Sequence, residues 1–175
     1  MKKSSVNPFK KERMMAEIMT NADNFWLHMD HPANLMIITG IMEFKETIEY
    51  EKARKTLEDR LCAFDRFRQR VILPISGVGP ASWEFDPYFD IRSHFQRVAL
   101  PAPGGKAELQ CMVSDLMTVP MDRTKPLWSC HLIENYKNGC ALLFPAASLH
   151  RGRHFPGLCP ALHSGQKEPD GTLLW

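Results

Sequence analysis

The fold is decided by residues 120–144, which read PMDRTKPLWSCHLIENYKNGCALLF. After Pro126-Leu127-Trp128 comes one apolar run, and a second follows a polar turn that contains Asn138-Gly139. Asn-Gly readily adopts the positive φ angles of a tight reversal, and both flanking runs have the length of a strand. The sequence therefore predicts a β-hairpin whose second strand, Cys140 to Phe144, ends at Pro145. We expect the functional site at this end of the strand.

The preceding chain supplies one further buried strand and two helices. Residues 35–44 are rich in Ile and Met and predict the strand, inside which Gly40 indicates a bulge or a close backbone approach. Apolar residues three or four apart predict amphipathic helices over residues 48–62 and 106–118, and the second follows a Pro-Ala-Pro-Gly-Gly break at 101–105. The order of the elements indicates an α/β protein with helices packed on a mixed sheet.

The composition is that of an ordinary globular protein. Of 175 residues, 44% are hydrophobic and 24% are charged, and the net charge of +2 argues neither for nor against nucleic-acid binding. No apolar run approaches the ~20 residues that a membrane-spanning helix needs. Five cysteines at irregular spacing, without a signal peptide before them, predict reduced thiols in a cytoplasmic protein.

Positive charge is concentrated in two places. The first is a basic arm within residues 1–20, which carries Lys2, Lys3, Lys10, Lys11 and Arg13. A solvated arm is the simpler interpretation, and contact with an anionic membrane surface is the alternative. The second group alternates with apolar residues and consists of Arg66, Arg68 and Arg70. This alternation is typical of an exposed strand or of a helix end, and a site for a phosphate-bearing ligand is the alternative.

Several short motifs occur in one collinear order between Asn21 and Phe144. They are Phe25-Trp26-Leu27, Phe67-Arg68-Gln69-Arg70, Trp83, Phe89-Asp90-Ile91-Arg92-Ser93-His94, Ala99-Leu100-Pro101-Ala102-Pro103-Gly104-Gly105, Met121-Asp122-Arg123-Thr124-Lys125-Pro126-Leu127-Trp128 and His131-Leu132-Ile133-Glu134. Each is weak alone, but the Pro-Leu-Trp block after Asp-Arg, downstream of a Pro-Gly-Gly turn, is specific. With these motifs the chain resembles the bacterial wax ester synthase/diacylglycerol acyltransferase family.

The resemblance implies a fold of the coenzyme-A-dependent acyltransferase type, in which two similar α/β halves enclose an active-site channel. Residues 21–144 would form most of the N-terminal half. It also implies an O-acyltransferase that moves an acyl group from acyl-CoA to a long-chain alcohol or a diacylglycerol, with acyl-CoA as a substrate and no cofactor. Pro126, Leu127 and Trp128 would be a structural motif of the family, with Leu127 and Trp128 packed in the core beside the channel.

The catalytic motif that the resemblance implies is absent. The family carries His-His-x-x-x-Asp-Gly directly after the strand expected to end at Phe144, and its second His is the general base that takes the proton of the attacking alcohol. Here Phe144 is followed by Pro145-Ala146-Ala147-Ser148, and neither His150 nor His154 is followed by Asp-Gly. The sequence therefore gives no catalytic residue.

A shift of reading frame would account for this loss. Read one nucleotide later, codons for Ala147 to His154 can encode His-His-Cys-Ile-Ala-Asp-Gly. We therefore expect an insertion or deletion near codon 145 and an irregular tail over residues 145–175, frame-shifted or disordered. The tail also contains zinc-ligand residue types, but their spacing fits no common zinc module, so we predict no metal site at His150, His154, Cys159 and His163.

Two functions remain open from the sequence. One is an acyltransferase of triacylglycerol or wax ester biosynthesis, represented by an N-terminal fragment that is inactive as written because its general base is missing. The alternative is a non-catalytic domain that binds acyl-CoA or a lipid surface. We expect a cytoplasmic location, with peripheral contact to the inner membrane or to lipid droplets as the finer alternative, and no nucleic-acid partner.

Overall fold

The computed structural model describes residues 16–150. The basic residues up to Arg13 and the tail residues His154, Cys159 and His163 lie outside the described residues. The elements follow the order β1 (Glu17–Ile18), α1 (Asn21–Met29), β2 (Ile37–Phe44), α2 (Tyr50–Arg60), a 3-10 turn (Asp65–Arg68), β3 (Gln69–Ile72), β4 (Ser82–Phe85), α3 (Ile91–His94), β5 (Phe95–Ala99), α4 (Lys106–Met117), β6 (Cys130–Tyr136), β7 (Gly139–Ala147) and a 3-10 turn (Ser148–His150).

The main sheet has four strands in the order β2-β7-β6-β5. Strands β6 and β7 form the predicted antiparallel hairpin, β2 is antiparallel to β7, and β5 is parallel to β6. This confirms the expected mixed sheet. The two predicted helices are present as α2 and α4, both slightly shorter than their apolar periodicity indicated.

Helices α2 and α4 cover opposite faces of the main sheet. Leu57 of α2 packs in one cluster with Leu132, whereas Val113 of α4 packs in another with Ile133. Neighbouring residues of a strand point to opposite faces, so Leu132 and Ile133 divide β6 between the two layers. The sheet is thus buried on both sides around its two central strands.

A smaller antiparallel sheet has the order β1-β4-β3. Glu17 pairs with Trp83, and the next residues bring Met19 into a buried cluster with Leu27 and Trp83. The folded part therefore starts before the boundary at residue 21 that the sequence indicated.

Strand β7 does not stop at Phe144, so the expected break at Pro145 is wrong. Pro145 lies inside the strand and pairs with Thr39 of β2. A proline lacks the N–H donor but keeps its carbonyl acceptor, and the carbonyl oxygen of Pro145 accepts a hydrogen bond from the Ser129 N–H at 3.0 Å. The ladder therefore continues to Ala147.

The hairpin reverses differently from the predicted Asn-Gly turn. Positive φ angles occur at Asn135 (62°) and Lys137 (50°), beside a bulge in β6. Tyr136 already pairs with Gly139, so the glycine is the first residue of β7 rather than part of the turn.

The structure requires a glycine at position 139 of β7 but not at position 40 of β2. A Cβ on Gly139 would collide with the Phe44 carbonyl oxygen, and it would approach the Lys45 carbonyl carbon to 2.7 Å. Gly40 pairs regularly with Phe144, and a Cβ there would meet open space. The bulge or close approach expected at Gly40 is therefore wrong, and Gly139 is the position where a close approach requires glycine.

Candidate functional site

The Pro-Leu-Trp segment runs alongside the end of β7. Trp128 forms an antiparallel bridge with Ala146, and the Ala147 N–H donates to the Leu127 carbonyl oxygen at 3.0 Å. Leu127 and Trp128 thus continue β6 at its N-terminal end, in the same register against β7. Because Pro126 lacks an N–H and restricts the residue before it, it suits the point where this extended segment begins.

Trp128 is at the centre of an aromatic cluster. Its side chain is 3% exposed, and its indole Nε1 donates to the Phe67 carbonyl oxygen at 2.8 Å. The ring stacks on Phe144 and His94, with centroids 5.6 Å and 4.7 Å away. The side chain packs in the core beneath the end of β7.

His94 is buried against Trp128. Its Nδ1 donates to the Trp128 carbonyl oxygen at 2.8 Å, and its Nε2 has no hydrogen-bond partner among residues 16–150. Burial lowers the pKa of His94, although the bond to the carbonyl opposes this effect. The imidazole is therefore neutral and structural at neutral pH.

A shallow apolar cleft lies beside the end of β7 and encloses a volume of only about 10 Å³. It is lined by Trp26, Leu27, Asp30, Met36, Ile37, Met121, Leu127, Ala147 and Leu149. The Phe-Trp-Leu motif near the start of the chain and the Pro-Leu-Trp motif thus contribute to the same surface. The cleft is mostly apolar with a single carboxylate at its edge, and it is too small to enclose a hydrocarbon chain.

Asp30 joins three segments at the edge of this cleft. Its Oδ1 accepts from the Met36 N–H at 2.9 Å, and its Oδ2 accepts from Arg123 Nη2 at 3.0 Å. The same Nη2 also donates to the Asp30 carbonyl oxygen at 3.0 Å. The segment before Pro126 is in this way tied to the end of α1 and to the approach to β2. Sequence reasoning missed this pair, because the two residues are 93 positions apart in the sequence and only the fold brings them into contact.

A polar row lies next to the cleft on the same face of the main sheet. Ser129 Oγ and His131 Nε2 are 3.1 Å apart. Ser129 is half-buried, whereas His131 is 8% exposed and its pKa is lowered by burial. The alternation of residues 129 and 131 along a strand is the sequence signal that predicts their shared face.

The three arginines of the Phe64–Val71 region are in ion pairs of the smaller sheet and its surroundings. Arg66 pairs with Glu17 at 3.2 Å, Arg68 with Asp65 at 2.7 Å, and Arg70 with Glu84 at 3.5 Å. The acidic partners offset the positive charge that a phosphate site would use, which favours the simpler interpretation of the alternation.

The backbone at the end of β7 carries the positions at which the resemblance would place the two histidines. In the shifted frame, the two histidines would occupy positions 147 and 148. Ala147 lines the cleft, and the Ser148 N–H donates to the Met36 carbonyl oxygen at 2.8 Å. Within residues 16–150 no group of His, Cys, Asp and Glu side chains is arranged to hold a metal ion.

Solved structures share this fold. A condensation domain of the calcium-dependent antibiotic synthetase superposes with a TM-score of 0.63 at 12% identity, covering 82% of this chain and 40% of that one. The wax ester synthase/diacylglycerol acyltransferase of Marinobacter aquaeolei VT8 superposes with a TM-score of 0.61 at 27% identity, covering 76% of this chain and 33% of that one. The architecture is that of the acyltransferase and condensation-domain fold class.

Sequence comparison gives the family. The model of the wax ester synthase/diacylglycerol acyltransferase catalytic domain matches residues 19–146, and the chain belongs to this family. The probable diacylglycerol O-acyltransferase tgs3 of Mycobacterium tuberculosis is 38% identical over 96 residues, which cover 54% of this chain and 35% of that protein. A putative diacylglycerol O-acyltransferase of the same organism, Rv1760, is 30% identical over 123 residues, which cover 67% and 24%. The chain thus spans about a third or less of these relatives.

Proposed function

We propose that the chain supplies the N-terminal half of an O-acyltransferase that moves an acyl group from acyl-CoA to a long-chain alcohol or a diacylglycerol. The observation that carries the proposal is the register at the end of β7. Leu127 and Trp128 stand opposite Ala147 and Ala146, and the apolar cleft opens at the position where the His-His motif of the family would begin. The apolar lining of the cleft would lie against a hydrocarbon chain next to the reacting groups.

In the restored frame, the histidine at position 148 would be the general base. It takes the proton of the acceptor hydroxyl while the hydroxyl oxygen attacks the thioester carbonyl, and the thiolate of CoA leaves and is protonated. The transfer is redox-neutral, so the proposal needs acyl-CoA as a substrate and no cofactor. The chain as written has Ser148 at this position, which lacks the basicity for the step.

The test begins with the DNA from codon 140 through codon 175 and beyond. We expect a single-base correction to restore His-His-x-x-x-Asp-Gly and an open frame. The corrected product should form hexadecyl palmitate from palmitoyl-CoA and hexadecanol, and replacing only its second histidine with alanine should abolish ester formation. Ester formation by the chain as written would contradict the assigned role of that histidine.

A second candidate function is acyl-CoA binding without catalysis. The chain as written favours it, because an alanine and not a histidine stands at position 147 beside the cleft. Trp26 lines the cleft, so its fluorescence should change when palmitoyl-CoA binds, and Trp26→Phe should remove that change. Binding without turnover, together with an uninterrupted frame that confirms the printed sequence, would select this candidate over the first.

We further propose a cytoplasmic location with peripheral contact to the inner membrane or to lipid droplets. Within the described residues, no helix combines the length and the apolar character needed to cross a bilayer. Ile18, Phe25 and Met29 expose apolar surface on β1 and α1, where it could contact lipid. Flotation with phosphatidylglycerol vesicles tests this, and Phe25→Ser should reduce the bound fraction.

A further inference from the structure

The loop that connects β3 to β4 carries large apolar side chains that face water. Leu73 and Val78 are 53% and 81% exposed, and Ile75 is fully exposed. Single exposed apolar residues are ordinary on a protein surface, whereas several that lie together mark a site of contact. Leu73, Ile75 and Val78 are here called the apolar tip of the smaller sheet.

The same stretch contains no charged residue. Residues 71–83 read VILPISGVGPASW, and the next charges on either side, Arg70 and Glu84, are paired with each other at 3.5 Å. A charged side chain strongly opposes transfer out of water into an apolar layer. Because the loop has no such side chain, its tip enters hydrocarbon without that electrostatic cost.

The loop also satisfies polar groups of its own backbone. The Gly77 N–H donates to the Pro74 carbonyl oxygen at 2.9 Å, and the Ser76 hydroxyl donates to the Val78 carbonyl oxygen at 2.9 Å. Pro74 and Pro80 have no N–H to satisfy. An unpaired backbone group is costly in hydrocarbon, so these features lower the cost of moving the tip out of water.

The apolar tip continues into exposed residues of β1 and α1. Ile18 pairs with Ser82, which is the residue of β4 nearest to the loop. Asn24 Oδ1 accepts from the Ala81 N–H at 3.2 Å, which brings the neighbouring Phe25 to the same end of the smaller sheet. Ile18 and Phe25 are both exposed. One end of the smaller sheet is therefore apolar across three segments of the chain.

We infer that the apolar tip inserts into the hydrocarbon of a phospholipid surface. The inference rests on the proposed peripheral location and names the segment that makes the contact. A protein partner is disfavoured because protein interfaces surround their apolar centre with a rim of hydrogen-bonding side chains. Among residues 73–80 the polar side chain is Ser76, and its hydroxyl already donates within the loop. An uncharged, protruding tip fits a fluid apolar layer better.

The test measures flotation of the full chain with vesicles of phosphatidylcholine and phosphatidylglycerol. Ile75→Ser and Val78→Ser should each lower the partition coefficient about five-fold or more, because each removes an apolar side chain that leaves water on binding. Since the loop is uncharged, we expect the same reduction at high salt, about 0.5 M NaCl, where contacts between exposed charges are screened.

Matched variants separate insertion from general surface hydrophobicity. Ile75→Leu keeps an apolar side chain and should bind like the wild type. Tyr88 is 87% exposed and follows the other end of β4, so Tyr88→Ser should leave binding unchanged. All four positions are exposed loop sites, and unfolding curves should show wild-type stability for each variant.

A direct readout of insertion comes from fluorescence. A tryptophan introduced by Ile75→Trp should be quenched by phosphatidylcholine that carries bromine on its acyl chains, and more strongly than the tryptophans of the wild type. Quenching no stronger than in the wild type would place the tip outside the hydrocarbon and overturn the inference.

The outcomes distinguish this inference from the proposed location. If the wild type floats with vesicles while Ile75→Ser and Val78→Ser bind equally well, or lose no more than Tyr88→Ser, the tip is not the inserting segment and the peripheral location stands. If the wild type floats with no vesicle, the peripheral location and the inserting tip are both overturned.

Discussion

The carbonyl oxygen of Trp128 accepts a hydrogen bond from His94 Nδ1 at 2.8 Å, while the two rings stack with their centroids 4.7 Å apart. The indole in turn donates to the Phe67 carbonyl oxygen. Trp128 therefore connects α3, the 3-10 turn that precedes β3, and the strand extension beside β7. The hydrogen bond to its backbone carbonyl and the hydrogen bond from its indole together hold Trp128 in place.

Substituting Trp128 should separate the hydrogen bond from the packing. Trp128→Phe keeps an aromatic ring but removes the hydrogen bond from the indole to the Phe67 carbonyl oxygen, and we expect a loss of about 1–3 kcal/mol in the free energy of unfolding. Trp128→Ala also removes the stack and should cost about 3–5 kcal/mol. Urea denaturation measures both, with Phe25→Leu on the exposed side of α1 as a control. Equal losses in the two variants would show that stacking contributes nothing.

Acidification should destabilise the fold through its buried histidines. Burial lowers the pKa of both His94 and His131 in the folded state. Below the ordinary histidine pKa of about 6.5, the unfolded chain takes up protons that the folded chain does not, so stability falls as the pH drops toward the lowered values. Unfolding free energies at pH 7.5, 6.5 and 5.5 should therefore decrease in that order.

Variants identify the groups responsible. His94→Gln should flatten the decline with pH, because it removes one of the two buried titrating groups. His28→Gln, at an exposed position on α1, should leave the slope as in the wild type. A wild type that becomes more stable on acidification would rule out this explanation.

Local patterns in the sequence predicted the elements that depend on them. Apolar spacing located α2 and α4, and the two apolar runs located β6 and β7. The predicted end of β7 was wrong. A proline usually interrupts a central strand, but the carbonyl oxygen of Pro145 still accepts a hydrogen bond from Ser129. That compensation depends on a neighbouring strand, which local sequence patterns do not reveal.

The candidate site was predicted only in part. The motif resemblance pointed to the end of the hairpin and to Leu127 and Trp128 beside it. It could not give the contact between Asp30 and Arg123, because that contact depends on how α1 packs against a distant loop.

The glycine at the start of β7 should tolerate no side chain. In Gly139→Ala the new Cβ would collide with the Phe44 carbonyl oxygen, and we expect a loss of about 2–3 kcal/mol because backbone must move. Gly40→Ala, in the same strand pair, places its Cβ in open space and should be neutral or stabilising by up to about 1 kcal/mol. Thermal or urea unfolding compares the two, and equal effects would contradict the close approach at Gly139.

The thiols should differ sharply in reactivity. Burial raises the pKa of Cys62 to about 12 and also raises the pKa of Cys130, whereas Cys111 is exposed on α4. Because the thiolate is the nucleophile, iodoacetamide at pH 8 should modify Cys111 in the native protein, and Cys62 and Cys130 only after unfolding in urea. Peptide mass spectrometry resolves the sites. Modification of Cys130 in the native protein at the rate of Cys111 would refute the buried hairpin.

The pair of Asp30 and Arg123 should contribute little through its charges and more through its backbone contacts. The side chains are 28% and 41% exposed, so solvent screens the ion pair and a double-mutant cycle of Asp30→Asn and Arg123→Gln should give a coupling of at most about 1 kcal/mol. Asp30→Asn keeps an oxygen that can accept from the Met36 N–H, whereas Asp30→Ala leaves that N–H unpaired. We therefore expect Asp30→Ala to destabilise the fold by about 1–2 kcal/mol more than Asp30→Asn. If the two variants are equally stable, Asp30 holds the edge of the cleft through its charge alone.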